Sequence, residues 1–157
     1  MRIGVLSDTH SLLRPEVLPT LRGVDHIFHA GDVGDPNILD RLAEIAPVTA
    51  IRGNVDRYGP CAELPEAEYV NLGSLSFYLI HNVHDLGLDP VAAGIACVIS
   101  GHSHRPASEW RNFAGKPRVL YFNPGSCGPR RFSLPVSLGF LSLTESGSIE
   151  PQLVTLP

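Results

Sequence analysis

Three short apolar runs, residues 2–7 (RIGVLS), 25–30 (DHIFHA) and 48–52 (VTAIR), stop abruptly at groups that offer oxygen or nitrogen donors: Asp8-Thr9-His10, Gly31-Asp32 and Gly53-Asn54. Runs of this length, rich in β-branched residues and closed by glycine or polar residues, read as strands. Between them lie segments of helical character. Residues 12–21 read as a short helix that tolerates Pro15 in its first turn and stops at Gly23. Residues 37–46 place apolar side chains at 38, 39, 42, 45 and 46, the helical spacing, and Pro47 closes them. The order is β-α-β-α-β, and each strand delivers polar groups at its carboxyl end.

After Pro60 the pattern changes. Residues 68–72 and 74–81, separated by Gly73, read as a hairpin, and a short helix is expected over 90–94. Residues 96–100 (ACVIS) form another buried strand, ending at Gly101-His102-Ser103-His104. Alternating segments follow at 106–113, 118–122, 137–144 and 148–155, so the second half is expected to be mostly antiparallel. A βαβ half joined to a hairpin-rich half predicts an α/β chain with two facing sheets covered by helices, rather than one doubly wound sheet. The 157 residues contain no repeat, low-complexity tract or linker, so 1–157 is expected to be a single domain.

Apolar residues make up 43% and charged residues 18%, enough for a core and too little charge for a disordered chain. Twelve Lys and Arg against sixteen Asp and Glu give a net charge of −4 without runs of like charge, which argues against a nucleic-acid or anionic-membrane surface. No apolar stretch approaches the roughly 20 residues that span a bilayer, and Met1 leads straight into a strand, so neither a membrane span nor an export signal is expected. Cys61, Cys97 and Cys127 are odd in number and lack C-x-x-C spacing, against a disulfide framework or a structural zinc cage. A reducing cytoplasm fits best.

Asp8, His10, Asp32, Asn54, His81, His102 and His104 all sit where strands end. In open α/β sheets ligands gather outside the carboxyl ends of the strands, so residues distant in sequence converge there. Asp8/His10 and His102/His104 are spaced two apart, and alternate residues leaving a strand project to one side. Glycines before Asp32, Asn54 and His102 permit sharp turns with no Cβ beneath the site. No nucleophile elbow, P-loop or G-x-G-x-x-G is present, and no cysteine lies among these groups, which leaves metal-assisted chemistry. Taken singly, each signal has a plainer reading. Asp8-Thr9-His10 alone reads as a solvated turn, Asn54 as a turn residue, and Asp56 as a turn-forming carboxylate or one that supports the donors from behind. His29 reads as a hydrogen-bonded core histidine, His26 as surface, Asn123-Pro124-Gly125-Ser126 as a tight turn, and Arg130-Arg131 as a solvated pair.

The ordered set of D-x-H at 8–10, GD at 31–32, GN-x-D at 53–56, His81, G-H-x-H at 101–104 and NPGS at 123–126 resembles the calcineurin-like metallophosphoesterase superfamily, and within it the small bacterial and archaeal phosphodiesterase-like proteins. The resemblance spans nearly the whole chain. It implies a four-layer α/β/β/α sandwich of two facing mixed β-sheets flanked by helices, and a centre of two divalent metal ions. By position it implies Asp8, His10, Asp32 and His104 on one ion and Asp32, Asn54, His81 and His102 on the other, with Asp32 as the bridge. Mixed imidazole, carboxylate and amide donors suit Mn²⁺, Fe²⁺, Ni²⁺ or Zn²⁺, of which Mn²⁺ is favoured. Two such ions about 3.5–4 Å apart share a carboxylate and a hydroxide and clamp an in-line displacement at phosphorus. The expected function is a metal-dependent phosphoesterase acting on a small phosphoester, a phosphodiesterase before a monoesterase, with Asp32, Asn54 and His102 positioning hydroxide and phosphate.

Two other functions stand beside this one. The first is an interaction scaffold like the retromer subunit of the same superfamily; the second is a nuclease, which the net charge of −4 disfavours. Two positions depart from the family pattern. Val55 stands where many of its phosphatases carry a histidine that protonates the leaving group. His81-Asn82-Val83-His84 stands where small members read H-G-H, so His84 has no assigned role.

Overall fold

Alternation along the strands sorts the apolar side chains into two cores. In β1 (Arg2–Leu6), Ile3 and Val5 face one core and Leu6 the other, all without exposure. In β2 (His26–His29), Phe28 joins Ile3 and Val5 while Ile27 joins Leu6. The computed structural model describes residues 1–157, in two five-stranded mixed sheets with few helices. The first sheet has the order β10 (Ile149–Thr155), β9 (Ser137–Leu143), β1, β2, β3 (Val48–Ala50). The second has the order β4 (Ala67–Leu72), β5 (Leu75–Ile80), β6 (Cys97–Ile99), β8 (Val119–Asn123), β7 (Ala107–Arg111). Phe28, Phe77, Leu79, Ile99 and Phe122 belong to the core between the sheets, and the rings of Phe28 and Phe77 stand 5.5 Å apart there. No helix is long and apolar enough to cross a membrane.

Register fixes where the functional loops leave. Leu6 pairs with His29 and His29 with Ala50 across parallel β1, β2 and β3, so the loops carrying Asp8, Asp32 and Asn54 depart at one level. In the second sheet Leu79 pairs with Ile99 and Ile99 with Phe122, which aligns the loops that begin at His81, Gly101 and Asn123.

Several elements differ from the sequence expectations. The helix expected over 12–21 is only α1 (Val17–Thr20). Pro15 biases Arg14 away from helical angles, and the backbone of Ser11 and Leu12 is committed to Val33 and Thr9. The second helix, α2 (Asn37–Ala43), tightens before Pro47, with Ile45 and Ala46 both donating to the Leu42 carbonyl. No helix forms over 90–94, where bonds from Ala93 to Asp89 and from Ile95 to Pro90 close a single turn. The second half is less antiparallel than expected, because β5, β6 and β8 run parallel to one another. Alternation carries no strand direction; the continuous apolar run of β6 is the mark of a parallel strand buried on both faces. The outer layer over the second sheet is thin. A 3₁₀ turn at Val83–Asp85 and the loop that follows lay Val83, Leu86, Leu88 and Val91 against Val98 and Val119.

Phe28 is fully buried at the centre of the seam, so Phe28→Ala is expected to cost about 3–5 kcal/mol in urea unfolding. A loss below about 1 kcal/mol would mean that the seam between the sheets contributes little to stability.

Candidate metal centre

The aligned loops bring the seven candidate residues together at the open edge of both sheets. The backbone of five of them is strained. Asp8, His10, Asp32, His102 and His104 adopt φ of 55°, 45°, 55°, 68° and 58°, a region non-glycine residues rarely occupy. Such strain costs on the order of 1–3 kcal/mol per residue and persists only where surrounding contacts impose it. Here Asp8 N–H donates to Gly31 C=O, His10 N–H to Asp32 C=O, and the Ser126 hydroxyl to the Asp8 carbonyl. The permissive turns expected of the preceding glycines are thus taken largely by the donor residues themselves. Gly53 and Gly101 answer a different need: a Cβ on Gly53 would overlap the Asp32 carboxylate, and one on Gly101 would overlap the Ser7 hydroxyl.

The donor atoms face one another. Asp8 Oδ2 accepts from the Ser7 hydroxyl at 2.7 Å and from His102 N–H at 3.0 Å. Asp8 Oδ1 is buried with no hydrogen-bond partner, yet it lies 3.2 Å from His104 Nε2, 3.6 Å from His10 Nε2 and 3.9 Å from His81 Nε2. Asp32 Oδ2 lies 3.3 Å from His81 Nε2 and 3.6 Å from His10 Nε2, while its Oδ1 accepts from Val55 N–H at 2.9 Å. Asn54 Oδ1 stands 3.1 Å from His81 Nε2 and 3.0 Å from His102 Nδ1. His81 Nδ1 donates to the Ala30 carbonyl at 2.7 Å, which places a proton there and turns Nε2 towards three oxygens. That arrangement is repulsive without a positive charge among the donors. His10 Nε2 and His104 Nε2 likewise face each other at 3.2 Å.

Electrostatics say the same. Burial alone would raise the Asp8 carboxyl, but the adjacent imidazoles of His10 and His104 and the Ser7 hydroxyl outweigh it and hold Asp8 below the usual carboxylate range. Burial also acts to raise Asp32, and its bonds to His81 and Val55 N–H prevail to lower it. Burial pulls His81 down, while Asp32 and the Ala30 carbonyl push it further up, so its net shift is upward. The donor set fits divalent cations: one group is Asp8, His10 and His104, another Asp8, Asp32 and His81, each with its donor atoms within 4.8 Å of one another. These groups meet at Asp8, and Asp32 also reaches histidines of both. His102 and Asn54 stand at the solvent side, bordering a cavity of about 450 Å³ walled in part by Arg52, Tyr78 and Asn82.

Asp56 accepts three backbone bonds, from Val33, Gly34 and Gly53, and so ties the Asp32 loop to the Asn54 loop. His29 is wholly buried: its Nδ1 accepts from Gly31 N–H and its Nε2 pairs with the Thr9 hydroxyl, which donates to Val33 C=O. The NPGS segment does more than turn. Asn123 Nδ2 donates to the Gly101 carbonyl and the Ser103 hydroxyl, and Ser126 clamps Asp8. The sequence singles out neither Ser7 nor Thr9, and Ser126 only as part of a tight turn; the signal at each is a small hydroxyl near a donor. His26 is half-buried and bonded to Thr49, while Arg130 and Arg131 are exposed. The three cysteines are unpaired and buried, and burial pushes the Cys127 thiol up to about 12, so no thiolate is offered to the centre.

Two facing mixed sheets carry, at their carboxyl edge, a cluster of imidazoles and carboxylates able to hold metal ions. The chain belongs to the calcineurin-like phosphoesterase superfamily, whose domain it matches over residues 1–146. It is 32% identical to a probable metallophosphoesterase of Methanocaldococcus jannaschii, over 99% of this chain and 82% of that one. A probable metallophosphoesterase of Methanothermobacter thermautotrophicus is 38% identical over 68% of each chain. Among solved structures, a predicted phosphoesterase of Streptococcus pneumoniae TIGR4 superposes with a TM-score of 0.73 at 28% identity, covering 98% of this chain and 88% of that one. Vps29 of Entamoeba histolytica, solved with Zn²⁺, shares the fold at 22% identity and a TM-score of 0.71 over 99% of both chains.

Burial pushes His29 down to about 4, below the ordinary value near 6.5. The unfolded chain therefore binds the extra proton between these values. The stability that His29 contributes is complete above about pH 6.5 and falls by about 3 kcal/mol as pH drops towards 4. Urea unfolding of chelated protein at pH 7 and pH 4.5 should show a larger loss for wild type than for His29→Gln. His81 shifts the opposite way in both proteins, so the difference between them is the quantity read; equal losses would contradict the assignment.

Proposed function

We propose that the chain hydrolyses a small phosphodiester at a centre of two divalent cations, with Mn²⁺ favoured among Mn²⁺, Fe²⁺, Ni²⁺ and Zn²⁺. Asp8, His10, Asp32 and His104 would hold one ion and Asp32, Asn54, His81 and His102 the other. The observation that carries this reading is Asp8 Oδ1, buried and unpartnered with three imidazole nitrogens within 3.9 Å. Bound cations supply an acidified water as nucleophile and positive charge for the phosphoryl oxygens. The protein supplies position. Ala30 fixes the tautomer of His81, Ser7 and His102 N–H fix one oxygen of Asp8, and Asp56 holds the two loops from which Asp32 and Asn54 project. Asn54 and His102 then face the cavity in which the ester sits.

Proton delivery to the leaving group is the weak point of this arrangement. Val55 is 45% exposed and its side chain has no proton to give; its N–H is spent on Asp32. His84 is exposed and lines a second cavity that shares His102 with the first. The chain is read as one domain over 1–157, working in the cytoplasm without nucleic acid. A full set of donors at both positions favours an enzyme over a scaffold of the Vps29 kind, for which the structural likeness speaks to fold alone.

Chelated protein reloaded with Mn²⁺ is expected to hydrolyse bis(p-nitrophenyl) phosphate, and chelation should abolish turnover reversibly. Inactivity with every metal and with both mono- and diesters would move the reading to a scaffold. Asp56→Asn should cost about 10–100-fold, as a group that acts by orienting others. Asp32→Asn should cost more, and equal losses in folded variants would overturn the ranking. With no acid at Val55, log(kcat/KM) should fall steeply with leaving-group pKa. Val55→His should flatten that slope, by up to about 10²–10⁴-fold for alkyl esters; a flat slope in wild type would reveal an acid already present.

A further inference from the structure

The two cavities that meet at His102 and Asn82 differ in charge. On the wall of the larger, Arg52 is already satisfied, donating to the Ala62 carbonyl at 2.9 Å and to Glu66 at 2.7 Å. Glu66 and Asp85 both line that cavity, so its surplus is negative. The smaller, of about 310 Å³, lies at the lower end of ligand-pocket sizes and sets Arg105 and Arg111 against one carboxylate, Glu109. Arg111 stacks on Tyr121 with its guanidinium carbon 3.7 Å from the ring centroid, and it meets Glu109 only at 3.5 Å. The Arg105 guanidinium has neither an ion-pair nor a hydrogen-bond partner; only its backbone N–H is bonded, to Ser103. Unpaired His84 shares the wall. In a chain of net charge −4, this is a concave surface of opposite sign beside the candidate centre. Planar guanidinium groups with free donors suit the oxygens of a phosphate or carboxylate.

Resting on the phosphodiesterase reading, we infer that the smaller cavity holds one arm of the diester and that this arm carries a second anionic group, bound by Arg105 and Arg111. The larger cavity takes the uncharged arm. The preferred substrate is thus a phosphodiester with a further phosphate or carboxylate on one side, rather than a neutral-armed diester.

The test compares the p-nitrophenyl ester of thymidine 5′-phosphate with the same ester bearing a 3′-phosphate, on Mn²⁺-loaded protein. In both, the bond from phosphorus to the nitrophenyl oxygen breaks as one to a water oxygen forms; nitrophenolate takes the electron pair and the water proton goes to solvent. The 3′-phosphorylated ester should have a kcat/KM at least about tenfold higher, the scale of one charge-assisted hydrogen bond. That ratio should shrink in high salt and approach one in Arg105→Gln/Arg111→Gln. Arg118→Gln, a cation stacked on Trp110 that lines neither cavity, should leave the ratio unchanged. Calorimetric binding of thymidine 3′,5′-bisphosphate against thymidine 5′-monophosphate gives a readout that needs no turnover, and the same two arginines should account for tighter binding of the bisphosphate. Hydrolysis of both esters at equal kcat/KM, with equal binding of the two nucleotides, overturns the inference and leaves the phosphodiesterase reading intact. If neither ester is hydrolysed with any metal, that reading fails, and the binding comparison alone decides the inference by the same criterion.

Discussion

The Asp8 carboxylate is buried where the two sheets meet, with one oxygen bound by the Ser7 hydroxyl and His102 N–H and the other left facing three imidazoles. An ionised carboxylate taken out of water is costly unless opposite charge and hydrogen bonds replace the lost solvation. The loops after β1, β5 and β6 supply that replacement. His10 comes from the same loop, His81 from the end of β5, and His102 and His104 from the end of β6, all directed at a carboxylate that β1 delivers.

Holding those groups at such distances requires a rigid base. The seam of Phe28, Phe77, Phe122 and their neighbours locks the sheets face to face, and strand register then sets the level from which each loop departs. Beyond the strand ends, the backbone is forced into left-handed angles at the donors themselves. Strain of this kind survives because the loops are bonded to one another rather than to solvent: Asp56 bridges two of them, and Asn123 and Ser126 bind two more from the other sheet. Stability and site geometry therefore rest on the same hydrogen bonds.

Much of this was legible in the sequence because it is local. Apolar runs ending in Asp8, Asp32, Asn54 and His102 mark both the strands and the edge from which function projects, and Gly73 marks the hairpin of β4 and β5. Strand direction was not legible, since alternation is the same in a parallel and an antiparallel ladder; β5 and β6 are parallel because the segment between them crosses the outer face, and β8 is parallel to β6 because the intervening β7 runs antiparallel at the sheet edge. The supporting network was equally hidden. Ser126 donates to a carbonyl 118 residues away and Asn123 to one 22 residues away, and nothing in their immediate neighbours announces either bond. The first helix fell short in part for a reason visible only in three dimensions, because His10 and Ser11 are bonded to Asp32 and Val33.

The fold thus converts a repeated local feature, a strand closed by a polar residue, into one cluster of donors flanked by two cavities of differing charge. The proposed function requires this cluster to hold two cations. Anomalous diffraction from crystals of chelated protein soaked in Mn²⁺ tests it directly. Two peaks about 3.5–4 Å apart are predicted, one among Asp8, His10 and His104 and the other among His81, Asn54 and His102, with Asp32 between them. Peaks confined to surface carboxylates, or none within reach of Asp8 Oδ1, would contradict it.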